Sequence, residues 1–154
     1  MNFKLGKRSI QKLSTVDERL QRIVRGAITV TEQDFSVICG IRTIQQQKAL
    51  VKKGASQTMK SKHIDGLAVD LMAYSSGGRW ELNLYDEIAD SMKASAKSEG
   101  YKIRWGAAWT IDDIGAWKGT THTYYSKTTQ AERNVEYSGS AEDAMNYYID
   151  LRRD

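Results

Sequence analysis

The chain has 154 residues, 40% of them hydrophobic and 27% charged, with no low-complexity tract and no proline. That is one domain's worth of chain, too short for two full cores and too apolar for a disordered tail. The net charge of +4 and a pI near 9.1 favour an anionic partner, yet Lys48, Lys52, Lys53, Lys60 and Lys62 are scattered and match no nucleic-acid module.

Taken in chain order, the N-terminus Met1-Asn2-Phe3-Lys4-Leu5-Gly6 lacks the apolar stretch of a secretion signal, and no window approaches the length of a membrane span. The chain is therefore expected in the cytoplasm, with no stable membrane insertion. Ile10, Leu13, Val16, Leu20, Ile23, Val24 and Ala27 recur at helical spacing, which predicts a helix over about 9–30. Thr15 followed by Glu18 also fits a capping box, so a turn and then a helix is the other reading. Phe35 to Gly40 is an apolar run read as a buried strand around 37–41. It holds Cys39, the one cysteine, which excludes an intrachain disulfide and a Cys-based zinc cluster and is expected to be an inert buried thiol.

A second helix is predicted over 43–53, stopped by Gly54. The polar loop 56–62 feeds Leu67-Ala68-Val69-Asp70-Leu71-Met72. Read as a strand, this puts Leu67, Val69 and Leu71 on one face and Ala68, Asp70 and Met72 on the other. Ser75-Ser76-Gly77-Gly78 is a turn, 84–99 a third helix capped by Gly100, and 101–105 a strand. Residues 118–139 are polar and read as a long loop or insertion, and a last helix is predicted from Ser140 to the final residues, with Asp143 in its first turn. The pattern is α+β: one domain over 1–154, a small antiparallel sheet with helices packed on one side. Four Trp and eight Tyr against two Phe suit either aromatic cleft walls or a small core.

The chemistry concentrates in Ser61-Lys62-His63-Ile64-Asp65-Gly66-Leu67-Ala68-Val69-Asp70. His and Asp are zinc ligands of the kind used in hydrolytic sites. The segment resembles the Ser-x-His-x-x-Gly-x-Ala-x-Asp signature of the LAS-type zinc metallopeptidases, the D-Ala-D-Ala carboxypeptidase (VanY-like) group. Within that group it is most similar to phage L-alanyl-D-glutamate peptidase endolysins. Every fixed position of the signature is present. Gly40-Ile41-Arg42-Thr43 also resembles the family's strand-end arginine, and Trp105-Gly106-Ala107-Ala108-Trp109 its Trp-Gly-Gly-Asp-Trp element, with Ala108 in place of the acid.

The resemblance implies a hedgehog/D-Ala-D-Ala peptidase-like fold and hydrolysis of a peptidoglycan stem-peptide amide, L-Ala-D-Glu or D-Ala-D-Ala. It implies Zn2+ on His63 and Asp70, a substrate carboxylate on Arg42, and Ser61 contacting substrate or ordering the loop. It also implies that the protein reaches the wall after holin-type release; a monomer with no nucleic-acid partner is expected. The family's remaining ligand and base come from an Asp-x-Pro-His motif that this sequence lacks, so the catalytic residues are unassigned. Either His122 is a displaced third ligand, or the chain stops before a C-terminal strand that would carry them. The rival reading is a catalytically incomplete module of the same fold that binds cell-wall peptide.

Overall fold

A computed structural model describes residues 2–56, 59–106, 113–116 and 147–152. In chain order it contains α1 (Lys7–Leu13), α2 (Glu18–Val30), β1 (Phe35–Cys39), α3 (Ile44–Lys52), β2 (Ala68–Tyr74), β3 (Gly78–Arg79), α4 (Leu82–Glu99), β4 (Lys102–Trp105), a 3-10 turn at Ile114–Ala116 and β5 (Tyr148–Arg152). The sheet runs β1-β2-β5-β4, with β3 paired to β2, and every pairing is antiparallel. This is the α+β architecture expected from the sequence.

The helices form where their apolar spacing requires. Leu20, Ile23, Val24, Ala27 and Ile28 line one face of α2, and Tyr85, Ile88, Ala89, Met92 and Ala96 one face of α4. The two helices pack on each other and on one face of the sheet, where Phe35, Val37, Val69, Leu71, Ile103, Trp105, Ile149 and Leu151 complete the core. The aromatics divide between both expected uses: Trp105 and Tyr85 are core, whereas Tyr147 and Tyr148 face a cavity.

Two predicted elements differ. Residues 9–30 hold two helices with a turn before the second, as the other reading has it, although Thr15 is not the cap. Its hydroxyl donates to the Lys12 carbonyl at 2.6 Å and accepts from the Ile41 amide at 2.9 Å, while Asp17 caps α2 by accepting from the Arg19 amide. The last helix is the larger correction. Residues 148–152 form β5, a strand between β2 and β4. Ile149 and Leu151 point into the core while Tyr148, Asp150 and Arg152 alternate with them, a period of two that only ladder partners on both sides make stable. The predicted start of that helix at Ser140, the loop 118–139 and His122 lie outside the described residues.

β1 holds the detail that builds the site. Val37 pairs with Leu71, but Cys39 pairs with Asp70, so two steps on β1 match one on β2. This bulge swings Cys39 from the core side to the opposite face. Gly40 follows, so close to α1 that a Cβ there would collide with the Lys12 carbonyl and the Thr15 hydroxyl. We predict that Gly40→Ala, forcing backbone against backbone, lowers stability by about 1–3 kcal/mol in denaturant unfolding. An unchanged midpoint would contradict this close approach.

Candidate active site

Opposite the helices, the sheet presents Asp70 from β2, Tyr148 and Asp150 from β5, and Arg104 from β4. A loop from 61 to 67 brings His63 over this surface. It folds back through the Ile64 amide on the Ser61 carbonyl and the Leu67 amide on the Lys62 carbonyl, with Gly66 at a φ of 69°. A side chain adopts that backbone only with strain, which explains the glycine. The loop is tied at both ends: the Arg42 amide donates to the His63 carbonyl at 2.9 Å and the Asp17 amide to the Gly66 carbonyl at 2.8 Å. Ser61 accepts from the His63 amide at 3.2 Å, so it orders the loop.

His63 is buried, 2% exposed. Its Nδ1 lies 2.8 Å from the Gly40 carbonyl, an acceptor only, so Nδ1 carries a proton. Nε2 then faces Asp70 Oδ1 at 3.0 Å. Burial pulls the imidazole pKa down, but the Asp70 carboxylate and the Cys39 sulfur outweigh it and raise it to about 10. Cys39 Sγ lies 3.7 Å from His63 Nδ1 and 3.4 Å from Arg42 Nη2. Burial alone would raise this thiol; the neighbouring imidazole and guanidinium bring it below the ordinary range.

Cys39, His63 and Asp70 offer donor atoms within 4.8 Å of one another, a group that could hold a metal ion. The chemistry fits. Two ligands on a tetrahedral zinc stand about 3.3 Å apart, so the 3.0 Å gap between Nε2 and Oδ1 needs little opening. A ring whose other nitrogen donates to a backbone carbonyl has the tautomer that ligation through Nε2 requires. The inert, buried thiol expected from sequence is instead half-buried beside this pair, and one cysteine suffices for a mixed donor set.

The pair opens on a cavity of about 320 Å³ that Arg42, Ser61, Tyr148, Arg104, Lys60 and Lys62 also line. Arg42 donates to Gln47 Oε1 at 2.8 Å and sits 3.8 Å from Asp70 Oδ2. Tyr148 meets the His63 ring edge-on at 5.6 Å and donates to Asp150 Oδ2 at 2.8 Å. Burial and Asp150 push its phenol upward, which keeps it protonated. The four residues singled out in the sequence, Arg42, Ser61, His63 and Asp70, thus meet at one cavity. Sequence reading missed Cys39, Arg104 and Tyr148. The bulge that places Cys39 leaves no mark in the apolar pattern, and the sequence pattern places Tyr148 in a helix.

A family model for the phage L-alanyl-D-glutamate peptidase matches residues 1–126. The chain belongs to this family. The L-alanyl-D-glutamate peptidase of Escherichia phage T5 is 36% identical over 114 residues, 71% of this chain and 83% of that protein. That of Listeria phage A118 is 42% identical over 71 residues, 46% of this chain and 24% of that protein. The crystal structure of Serratia marcescens L-Ala D-Glu endopeptidase ChiX aligns with a TM-score of 0.65 at 34% identity, covering 71% of this chain and 85% of the other. In this phage peptidase family member, the matched residues include Cys39, Arg42, His63, Asp70 and Arg104, while β5 lies beyond them.

The raised His63 pKa makes a stability prediction. The folded value of about 10 exceeds the unfolded one, so the His63–Asp70 pair stabilises fully below the unfolded value and the contribution fades as pH rises through about 10. In chelator-treated protein, denaturation midpoints should fall between about pH 6.5 and about pH 10, and Asp70→Asn should flatten that slope. A slope unaffected by Asp70→Asn would assign it to other groups.

Proposed function

We propose that this chain is a zinc-dependent endopeptidase that hydrolyses the L-alanyl-D-glutamate amide of peptidoglycan stem peptides. The observation that carries the reading is the His63–Asp70 pair at 3.0 Å on a cavity wall, in a chain of this peptidase family. The names of the phage T5 and Serratia relatives favour L-Ala-D-Glu over D-Ala-D-Ala as the bond cut.

His63 through Nε2 and Asp70 through its carboxylate would hold the zinc, with Cys39 the third protein donor within reach. When bound, zinc supplies a Lewis acid for the scissile carbonyl and brings the pKa of water toward neutrality. The remaining work falls to the chain. The Gly40 carbonyl keeps the His63 proton on Nδ1 and leaves Nε2 for the cation. Arg42, pinned by Gln47, offers a planar guanidinium to a substrate carboxylate next to the reacting bond. Lys60, Lys62 and Arg104 make the cavity wall positive, which draws in an acidic peptide and disfavours a basic one. No described helix is long and apolar enough to cross a membrane. We read the protein as a monomer made in the host cytoplasm that meets the wall after holin-type release.

Purified protein should carry one equivalent of zinc by mass spectrometry and release new L-Ala carboxyl and D-Glu amino termini from cell walls. His63→Ala and Asp70→Asn should each lose both properties while remaining folded. Arg42→Gln should keep the zinc and lose about 10- to 100-fold in kcat/KM, the worth of one charge-assisted contact. Zinc retention with wall binding but no cleavage would favour the peptide-binding module instead.

A further inference from the structure

A second guanidinium, Arg104, stands on the cavity wall with no role of its own beyond its share in the wall's positive charge. Arg104 on β4 pairs in register with Asp150 on β5, which pairs with Ala68, two residues along β2 from Asp70. Ladder geometry puts the Arg104 Cα about 12 Å from that of Asp70, two strands across and one pleat repeat along. Arg42 touches Asp70 from the other side, at 3.8 Å. The two arginines therefore flank the His63–Asp70 pair from opposite edges of one cavity.

Arg104 is held by its inner edge. Nε and Nη2 both donate to Asp150 Oδ2, at 3.2 and 2.6 Å, and Asp150 is wholly buried. The same carboxylate has Arg152 Nη1 3.8 Å from its other oxygen. Asp150 thus lies between two guanidiniums, of which Arg104 lines this cavity and Arg152 a separate one. A guanidinium oriented from behind, with part of its side chain on the cavity, loses little freedom when it meets a planar anion.

Resting on the endopeptidase reading, we infer that Arg104 is a specificity-determining residue that holds a second substrate carboxylate. That carboxylate belongs to the residue following the D-glutamate. An extended α-linked residue advances about 3.3 Å and the γ-linked D-glutamate, with five main-chain atoms in place of three, about 6 Å, so a peptide running from the His63–Asp70 pair toward β4 comes within arginine reach at the residue that follows. The enzyme accordingly selects stem peptides that are acidic at this position over those amidated there.

Two probes test this, L-Ala-γ-D-Glu-L-Glu amide and L-Ala-γ-D-Glu-L-Gln amide, which differ only in the distal carboxylate. The wild type should prefer the first in kcat/KM by about 10- to 100-fold. Arg104→Lys should reduce this preference, and Arg104→Gln combined with Asp150→Asn, which leaves no buried charge unpaired, should abolish it. Arg42→Gln should slow both peptides and keep their ratio. A purely structural Arg104 would shift the melting temperature and leave the ratio alone, and that result overturns the inference, as does a wild-type ratio near one. If zinc-loaded protein cleaves neither peptide, the endopeptidase reading fails. Calorimetric titration of the same pair then decides the inference by itself: tighter binding of the Glu peptide, lost in the double variant, supports it, and equal affinities overturn it.

Discussion

The hydrogen bond from His63 Nδ1 to the Gly40 carbonyl is the constraint on which the site depends. It fixes the tautomer, turns Nε2 toward Asp70, and joins the end of β1 to a loop more than twenty residues later. Each neighbouring feature serves it. The β1 bulge rotates the chain so that Gly40 follows Cys39 at the level of Asp70. Gly40 fits only because it lacks a Cβ against the Lys12 carbonyl. Thr15 anchors the next amide, and the Arg42 amide returns to the His63 carbonyl. Helix α1, which contributes no side chain to the chemistry, thereby sets where the imidazole can stand.

The sheet separates two kinds of energy. One face buries Val69, Leu71, Ile149, Leu151, Ile103 and Trp105 against α2 and α4, and supplies the stability. The other buries Asp70, His63 and Asp150, groups whose removal from water costs several kcal/mol each unless paired. They are paired: His63 with Asp70, and Asp150 with Arg104 and the Tyr148 hydroxyl. Well-packed hydrophobic residues would stabilise such a sheet at least as well. The charges are thus better explained by what they bind than by what they hold together.

Much of this was legible in the sequence because it rests on local periodicity. The alternation of Leu67, Val69 and Leu71 with Ala68 and Asp70 reads as a half-buried strand, and the observed faces agree. The cores of α2 and α4 follow from helical spacing, and Gly100 closes α4 as expected. What was illegible rests on non-local pairing. A bulge is a mismatch between two strands, so Ile38 and Cys39 on their own cannot announce it. Residues 148–152 form a strand because β2 and β4 flank them, and five residues of alternation are too few to outweigh an apparent cap at Ser140. Arg104 stayed silent because nothing near it in sequence is acidic; its partner is 46 positions away.

In the proposed function Arg42 would link the candidate metal group to substrate recognition. Its guanidinium is shared among Gln47, Cys39 and Asp70, two of them anionic or readily so. These contacts hold it in place before a substrate arrives, which reduces the entropy lost on binding. They also compete with a substrate carboxylate for the same charge. Under the proposed function, a cation held by Asp70 and Cys39 would remove that competition, because carboxylate and thiolate would then direct their negative charge to the metal. The guanidinium, still pinned by Gln47, would then face the cavity with its charge less compensated. The coupling is reciprocal by thermodynamic necessity: whatever metal binding adds to the affinity for an acidic peptide, the peptide adds to the affinity for metal. A site that works as proposed would recognise its substrate most strongly when it is loaded for chemistry.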